Sequence, residues 1–232
     1  MSQLTDEIKS KGYWSIVIRP SSFVEKKISD YSRLLPILEA TSVQLRGWDF
    51  PHIDRKAELI RGLDWLGQES DWEYFKEAWR FFQTGQFADL TAIHEDWTAL
   101  TPARWAPPPH LASQGPLLGV GDTLFRFSEV FEFAARLSMS EAGGEEMHIE
   151  VELHGLKGRA LWVDDPGRSS FDHRYVSGME TFPFEIDVER QFLVANAREM
   201  AIEPTVELFK RFGWNASADL LKDQQRQLRS RS

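Results

Sequence analysis

The sequence predicts an α+β fold with a mainly antiparallel sheet built from hairpins. Three observations carry this. Two strand-forming stretches flank Thr84-Gly85 in "EAWRFFQTGQFADLTAIHED", the pattern of a hairpin. "MHIEVELH" (Met147 to His154) alternates apolar and polar residues strictly. The amphipathic helical stretches form blocks of their own and do not alternate with strands, which argues against a βαβ array.

The elements follow in order. "YWSIVIRP" (Tyr13 to Pro20) is a strand of aromatic and β-branched residues, ended by its proline. Ser29 to Ala40 reads as a helix capped by Ser29 or Asp30, with Pro36 delaying its start or kinking it. "SVQLRGWDF" runs as a strand into a turn. In the hairpin, Gly85 supplies the positive φ of the turn, and Trp79, Phe81, Phe87 and Ile93 line the sheet faces. Ala99 to Gly121 is loop-like, stiffened by three consecutive prolines.

Asp122 to Ala142 is the clearest helix. Leu124, Phe127, Phe131, Ala134 and Leu137 recur at helical spacing, and Val130 and Phe133 widen the stripe. Asp122 reads as the N-cap, Glu132 and Arg136 as an outward i,i+4 pair, and Gly143-Gly144 as the stop. "GLKG" should then turn the Met147 to His154 strand into "RALWVDD". That register sets His154 opposite Arg159, Glu152 opposite Leu161 and Glu150 opposite Val163. "TFPFEIDVE" is another strand, in which Pro183 suggests an edge or a first position, and "VDDPGR" fits a type II turn over Pro166-Gly167. Helices close the chain, with Gly213 as the C′ residue of the first. The packing helices are thus 122–142, 191–212 and 217–229. One domain over 1–232 is expected, with a Pro-rich segment, 99–118, joining lobes 1–98 and 119–232.

Seven of the nine tryptophans fall in the first 105 residues, so this half should hold an aromatic-rich core. The net charge of -9 argues against a protein that grips a nucleic-acid backbone, although the end "KDQQRQLRSRS" is locally basic. The absence of cysteine excludes disulfides, thiol catalysis and zinc ribbons, and suits a reducing cytoplasm. The start "MSQLTDEIKSKGYW" is not a signal peptide, and no apolar run reaches the roughly 20 residues of a membrane helix.

No motif fixes a reaction. "GVGDTL" lacks the third glycine of a dinucleotide fingerprint, and "HEDWT" is not a zinc-protease HExxH. P-loop, nucleophile-elbow and kinase signatures are missing. Period two places His148, Glu150, Glu152 and His154 on one strand face. Neighbours there stand about 7 Å apart, so an adjacent pair could hold a divalent metal if His52, Asp54, His94, Glu95 or Asp96 joined it; a solvated strand face explains the same alternation. No cofactor is otherwise expected.

The stretch "RGWDFPHID" (Arg46 to Asp54) concentrates residues suited to a site. Arg46 could hold an anion and lies within cation–π reach of Trp48, and Asp49 and His52 complete a candidate ligand set. A structural corner accounts for most of the same residues. It requires buried Trp48 and Phe50, with Arg46 and Asp49 in fixed hydrogen bonds. A Trp48 exposed beside a cleft would instead make the stretch a binding site.

"LRGWDFPHID", "WRFFQTGQF", "FEFAARL", "ELHGLKGRAL" and "FKRFGW" together resemble landmarks of a family of uncharacterised bacterial proteins with an RGWDFPHI-type motif. The resemblance runs from about Leu45 to Trp214. It implies one complete bacterial protein and brings no activity with it. Three readings remain. The first is a non-catalytic interaction or sensor subunit of a bacterial multi-protein system, with a protein partner or a second copy. The second is a metal-dependent hydrolase using 148–154. The third is a binder of small anions with an aromatic-lined pocket.

Overall fold

The computed structural model describes residues 2–72, 74–100, 106–165 and 167–229. Its first half comprises α1 (Gln3–Lys9), β1 (Tyr13–Pro20), α2 (Leu34–Thr41), β2 (Val43–Gln44), β3 (Asp49–Phe50), β4 (Ile60–Arg61), β5 (Trp65–Trp72), β6 (Phe75–Phe82) and β7 (Phe87–Ala92). Then come α3 (Pro109–Ala112), β8 (Leu117–Gly119), α4 (Val120–Ser138), β9 (Glu146–His154), β10 (Ala160–Trp162) and β11 (Thr181–Glu189). Three helices close the chain: α5 (Arg190–Met200), α6 (Ile202–Arg211) and α7 (Ala218–Arg229).

Seven strands form one antiparallel sheet in the order β11-β9-β1-β7-β6-β5-β4. Residues directly opposite in such a sheet point to the same face. One row therefore runs Ser70, Glu77, Thr91, Trp14, Leu153, Phe182 across six strands. The next runs Gln68, Trp79, Asp89, Ile16, Val151, Phe184. Both face the core, and carboxylates sit among the rings and aliphatic side chains.

α4 covers this face. Phe127 meets the Trp14 ring edge-on at 5.4 Å, and Phe133 meets Phe87 at 4.8 Å and Phe50 at 5.7 Å. Burying each such ring stabilises the fold by about 1.5–3 kcal/mol. α5, α6 and α7 pack on the other side of α4, where Gln225 Nε2 donates to Ser128 Oγ at 2.7 Å. α4 is thus covered nearly all round, and Arg126, Ser128 and Glu129 are buried along with its apolar stripe. α1 packs on the opposite face of the sheet, bringing Leu4 and Ile8 against Ala92.

The fold class, β1, the 75–92 hairpin and the edge position of Pro183 on β11 match the sequence reading. A 3-10 turn, Tyr31–Arg33, capped by Asp30 delays α2, so Pro36 falls in the first turn, where a missing amide leaves no intrahelical bond unmade. The 191–212 helix is two pieces, α5 and α6, meeting at Ala201 with Asn196 out of helical geometry. Gly213, at φ 87°, closes α6 as a Schellman cap: its own amide bonds Lys210 and that of Trp214 bonds Phe209.

Other expectations fail for identifiable reasons. β9 does not pair with the segment after "GLKG". β1 and β11 fill both its edges, and β10 pairs in parallel with β8. Glu132 reaches Arg198 of α5 at 2.9 Å, while Arg136 donates to the Ser42 carbonyl, so each finds its partner outside α4. α4 begins at Val120 and ends at Ser138. The type II turn includes Pro166, which lies outside the described residues.

Gly85 sits at φ 84°, and a Cβ added there would lie 2.3 Å from the Ala142 carbonyl oxygen. Gly85→Ala should therefore lose about 2 kcal/mol or more in urea unfolding, from left-handed strain and the clash together.

Candidate functional site

β2 and β3 form a small hairpin over one end of the core, and a cavity of about 560 Å³ lies beneath it. Gly47 at the tip has φ 79°, a conformation open to glycine, and lets the chain reverse within four residues. The reversal sends Arg46 toward α4 and Trp48 to the mouth of the cavity.

Arg46 fastens the hairpin down. Its Nε and Nη2 donate to the two Glu129 oxygens at 2.8 and 2.9 Å, a bidentate fork, and Nη1 donates to Asp122. Asp122 and Glu129 are seven residues apart, two turns of α4, and so share a face. The guanidinium rests 5.4 Å from the Phe125 ring centroid, the place the sequence reading gave to Trp48. All three of these nitrogens serve carboxylates, and the two carboxylates offset the charge that Arg46 would otherwise offer an anion.

Trp48 is half-buried and lines the cavity beside Tyr74, Phe75 and Phe125. Its ring stacks on His52 at 4.4 Å and meets Trp72 and Phe75 edge-on at 5.0 and 5.1 Å. Its buried Nε1 has no partner. Behind it His52 is fixed: Nδ1 lies 2.6 Å from Asp49 Oδ1, the amide donates to Glu77 Oε2 at 3.1 Å, and the carbonyl accepts from Trp79 Nε1 at 2.7 Å. Phe50 is buried, and the peptide bond from it to Pro51 is cis. The corner and the cavity lining thus share residues: Phe50, His52 and Asp49 hold the turn, and Trp48 faces the cavity.

The floor holds what the sequence reading missed. Glu77 is 1% exposed, and its Oε1 has no partner among the described residues. Asp89, 2% exposed, accepts from Thr91 Oγ1 at 2.7 Å through Oδ2, and its Oδ1 has no partner. Arg126 on α4 lies 3.8 Å from Glu129 and over the Phe50 ring, with Nε unpartnered. One signal could have found both acids. Glu77 is in phase with Trp79 and Phe81, and Asp89 with Phe87, so period two already places each carboxylate on the core face.

At the far end Asp164 accepts the amides of Gly121 and Asp122, both at 2.7 Å, and so caps α4 from 42 residues downstream. Asp122, the expected N-cap, is inside the helix, where its side chain is free to meet Arg46. His94 lies 3.3 Å from Glu95 and 3.8 Å from Asp122.

These neighbours shift the acidities apart. Burial, then Asp89, push the Glu77 carboxyl well above its ordinary range, against the pull of Arg126 and the His52 amide. Burial likewise raises Asp89 to about 6, against Arg126 and the Thr91 hydroxyl. Burial raises Asp164 to about 6, with Asp122 and Glu95 adding to it, although two amides oppose. For Asp122 burial is outweighed by Arg46, His94 and Arg126, which hold its carboxyl far below the ordinary range. Burial would lower the His94 pKa, but Glu95, Asp122 and Asp164 outweigh it and raise it.

The metal candidates do not converge. His148, Glu150, Glu152 and His154 lie on the face of the sheet opposite Trp14 and Glu77, whereas His52 is bonded to Glu77 on the core side. His148 pairs with Asp187 at 3.0 Å, and His154 stacks on Tyr13 and reaches Glu152 at 3.2 Å. Glu150 faces Glu185 of β11. Asp54 Oδ1 accepts the Lys56 amide at 2.8 Å. Among the described residues no three histidine, aspartate or glutamate side chains come together as a metal would need. A shallower depression of about 610 Å³ near Tyr13 and His154 includes Arg159, whose guanidinium is taken up by Asp96 and two carbonyls.

No helix among the described residues is long and apolar enough to cross a membrane. No family model, curated protein or solved structure matches the chain.

Proposed function

We propose that the protein binds a small organic molecule in the cavity under the β2–β3 hairpin and serves as a sensor or binding subunit. The observation that carries this reading is a cavity of about 560 Å³ with aromatic walls and a buried Glu77 whose Oε1 has no partner. Ligand sites combine apolar walls with a few placed polar groups in this way. A buried polar atom without a partner costs about 1–3 kcal/mol, a penalty that a ligand would relieve. The engagement of Arg46 by Glu129 and Asp122 speaks against a free anion as that ligand. The separation of 148–154 from His52 and Asp54 gives the hydrolase reading no assembled centre.

The test is a thermal-shift screen of metabolites on the full chain, read also by tryptophan fluorescence. A ligand at about a hundred times its Kd should add about 2.7 kcal/mol of stability. That is roughly 5–10 °C for a chain of this size. Trp48→Ala should weaken a hit by about tenfold or more while leaving the circular dichroism unchanged, since Trp48 lies at the mouth and not in the core. A panel with no shift, or hits indifferent to Trp48, would end this reading.

A further inference from the structure

We infer that the ligand of this cavity is an organic cation, a protonated amine or a guanidinium on an apolar body, with its charge seated at Glu77. The inference rests on the small-molecule reading above and names the class of that molecule.

Charge comes first. Glu77, Asp89, Glu95, Asp122, Glu129 and Asp164 surround the cavity or stand just behind its wall. Against them stand the guanidiniums of Arg46 and Arg126 and the imidazole of His94. The charge of Arg46 is offset by two of these acids, and Arg126 stands among Glu77, Asp89 and Glu129. An anion entering here would meet more carboxylates than cations. A cation completes the set.

Hydrogen bonding points the same way. Among the described residues the buried groups without a partner include two acceptors, Glu77 Oε1 on the cavity lining and Asp89 Oδ1 behind it, and one donor, Trp48 Nε1. Glu77 lines the cavity and is almost wholly buried, which favours its protonated form while the cavity is empty, and an opposite charge seated against it favours ionisation. An ammonium or guanidinium brings donors and the opposite charge together. The unpartnered Nε of Arg126 leaves room for one acceptor on the same molecule.

The walls complete the match. Trp48, Tyr74, Phe75 and Phe125 line the same cavity as Glu77. Such rings attract a cation by their negative faces and take an apolar body by burial.

Three probes that share a phenylethyl body decide the question: 2-phenylethylammonium, 2-phenylethanol and 3-phenylpropionate, titrated calorimetrically into the full chain at neutral pH. The ammonium is expected to bind at least about tenfold more tightly than the alcohol, the equivalent of 1.4 kcal/mol, and the carboxylate to give no heat. Glu77→Gln should erase the preference for the ammonium over the alcohol while the protein stays folded. If the alcohol or the carboxylate binds as well as the ammonium, the cation inference falls and the small-molecule reading stands. If none of the three binds at millimolar concentration, the cation inference falls too, and the metabolite screen decides the broader reading by itself. The wild-type comparison holds even if Glu77→Gln fails to fold.

Discussion

Arg46→Met should lower the melting temperature by roughly 10 °C. The reasoning starts from what the substitution leaves behind. Glu129 has a side chain 3% exposed, and its two oxygens are held by Arg46 in a fork, so removing the fork strands a buried charge. Breaking a buried pair from one side costs about 3–5 kcal/mol. Arg46 is itself 24% exposed, which places the loss near the lower figure. For a domain of this length each kcal/mol moves the midpoint by about 2–4 °C. Methionine fills most of the same space, so little of the loss is a packing defect. The double variant Arg46→Met, Glu129→Gln should recover part of it, because the second change removes the stranded charge. Calorimetry of the four proteins in the cycle measures this directly. A loss under about 1 kcal/mol would place the pair with ordinary surface ion pairs. It would also remove the hairpin's anchor to α4 from the argument for a preformed cavity.

The sheet was legible where periodicity is local. β1, the 75–92 hairpin, α4 and the edge strand with Pro183 follow from spacing, turn glycines and a missing amide, each carried within about ten residues of chain. β9 was legible as a strand but not in its partners: alternation says which face is apolar and nothing about which strand lies alongside. The "RALWVDD" return failed on that point, as β1 and β11 occupy both edges of β9. The site divides in the same way. Arg46, Trp48 and Asp49 stand out because unusual residues crowd one stretch, and all three line the cavity. Glu77, Asp89, Arg126 and Glu129 did not stand out, since a charged residue in an amphipathic element ordinarily marks the wet side. Here they sit on core faces, and only their phase with buried rings betrays it. Asp164 was hidden more deeply: capping α4 from 42 residues away leaves no local trace.

Asp89→Asn and Glu77→Gln should each be more stable than the wild-type protein at about pH 8, with the advantage closing as the pH falls toward about 4. Burial raises Asp89 to about 6, so folding works against its ionisation. A carboxyl that the fold keeps protonated, and that the unfolded chain ionises, loses its proton on unfolding. Stability therefore falls as the pH climbs from the ordinary aspartate value near 3.8 to about 6, and the deficit persists above. A shift of this size corresponds to about 3 kcal/mol, or several degrees. Glu77 is raised in the same direction, chiefly by burial, so its deficit has the same sign. The groups that face the pair are Arg126 and Glu129 on α4, Asp49 on β3 and Thr91 on β7, and both neutral replacements retain the size and hydrogen-bonding reach to meet them. Asp122 works with the opposite sign. Its stabilisation through Arg46 is present above the ordinary aspartate value and is lost below it. His94, raised by its acids, stabilises at low pH and loses this as the pH rises through its folded value. Neither residue changes in the variants, so both contributions drop out of the difference between variant and wild type. Melting curves between about pH 4 and pH 8 then read the two carboxyls alone. If the neutral variants prove less stable at pH 8, these carboxylates serve the fold, and their buried charge gives no support to a cation site. If they prove more stable while Glu77→Gln loses its selectivity for the ammonium probe, the chain keeps a destabilising charge at the point where a ligand needs it, the exchange of stability for function that binding sites make.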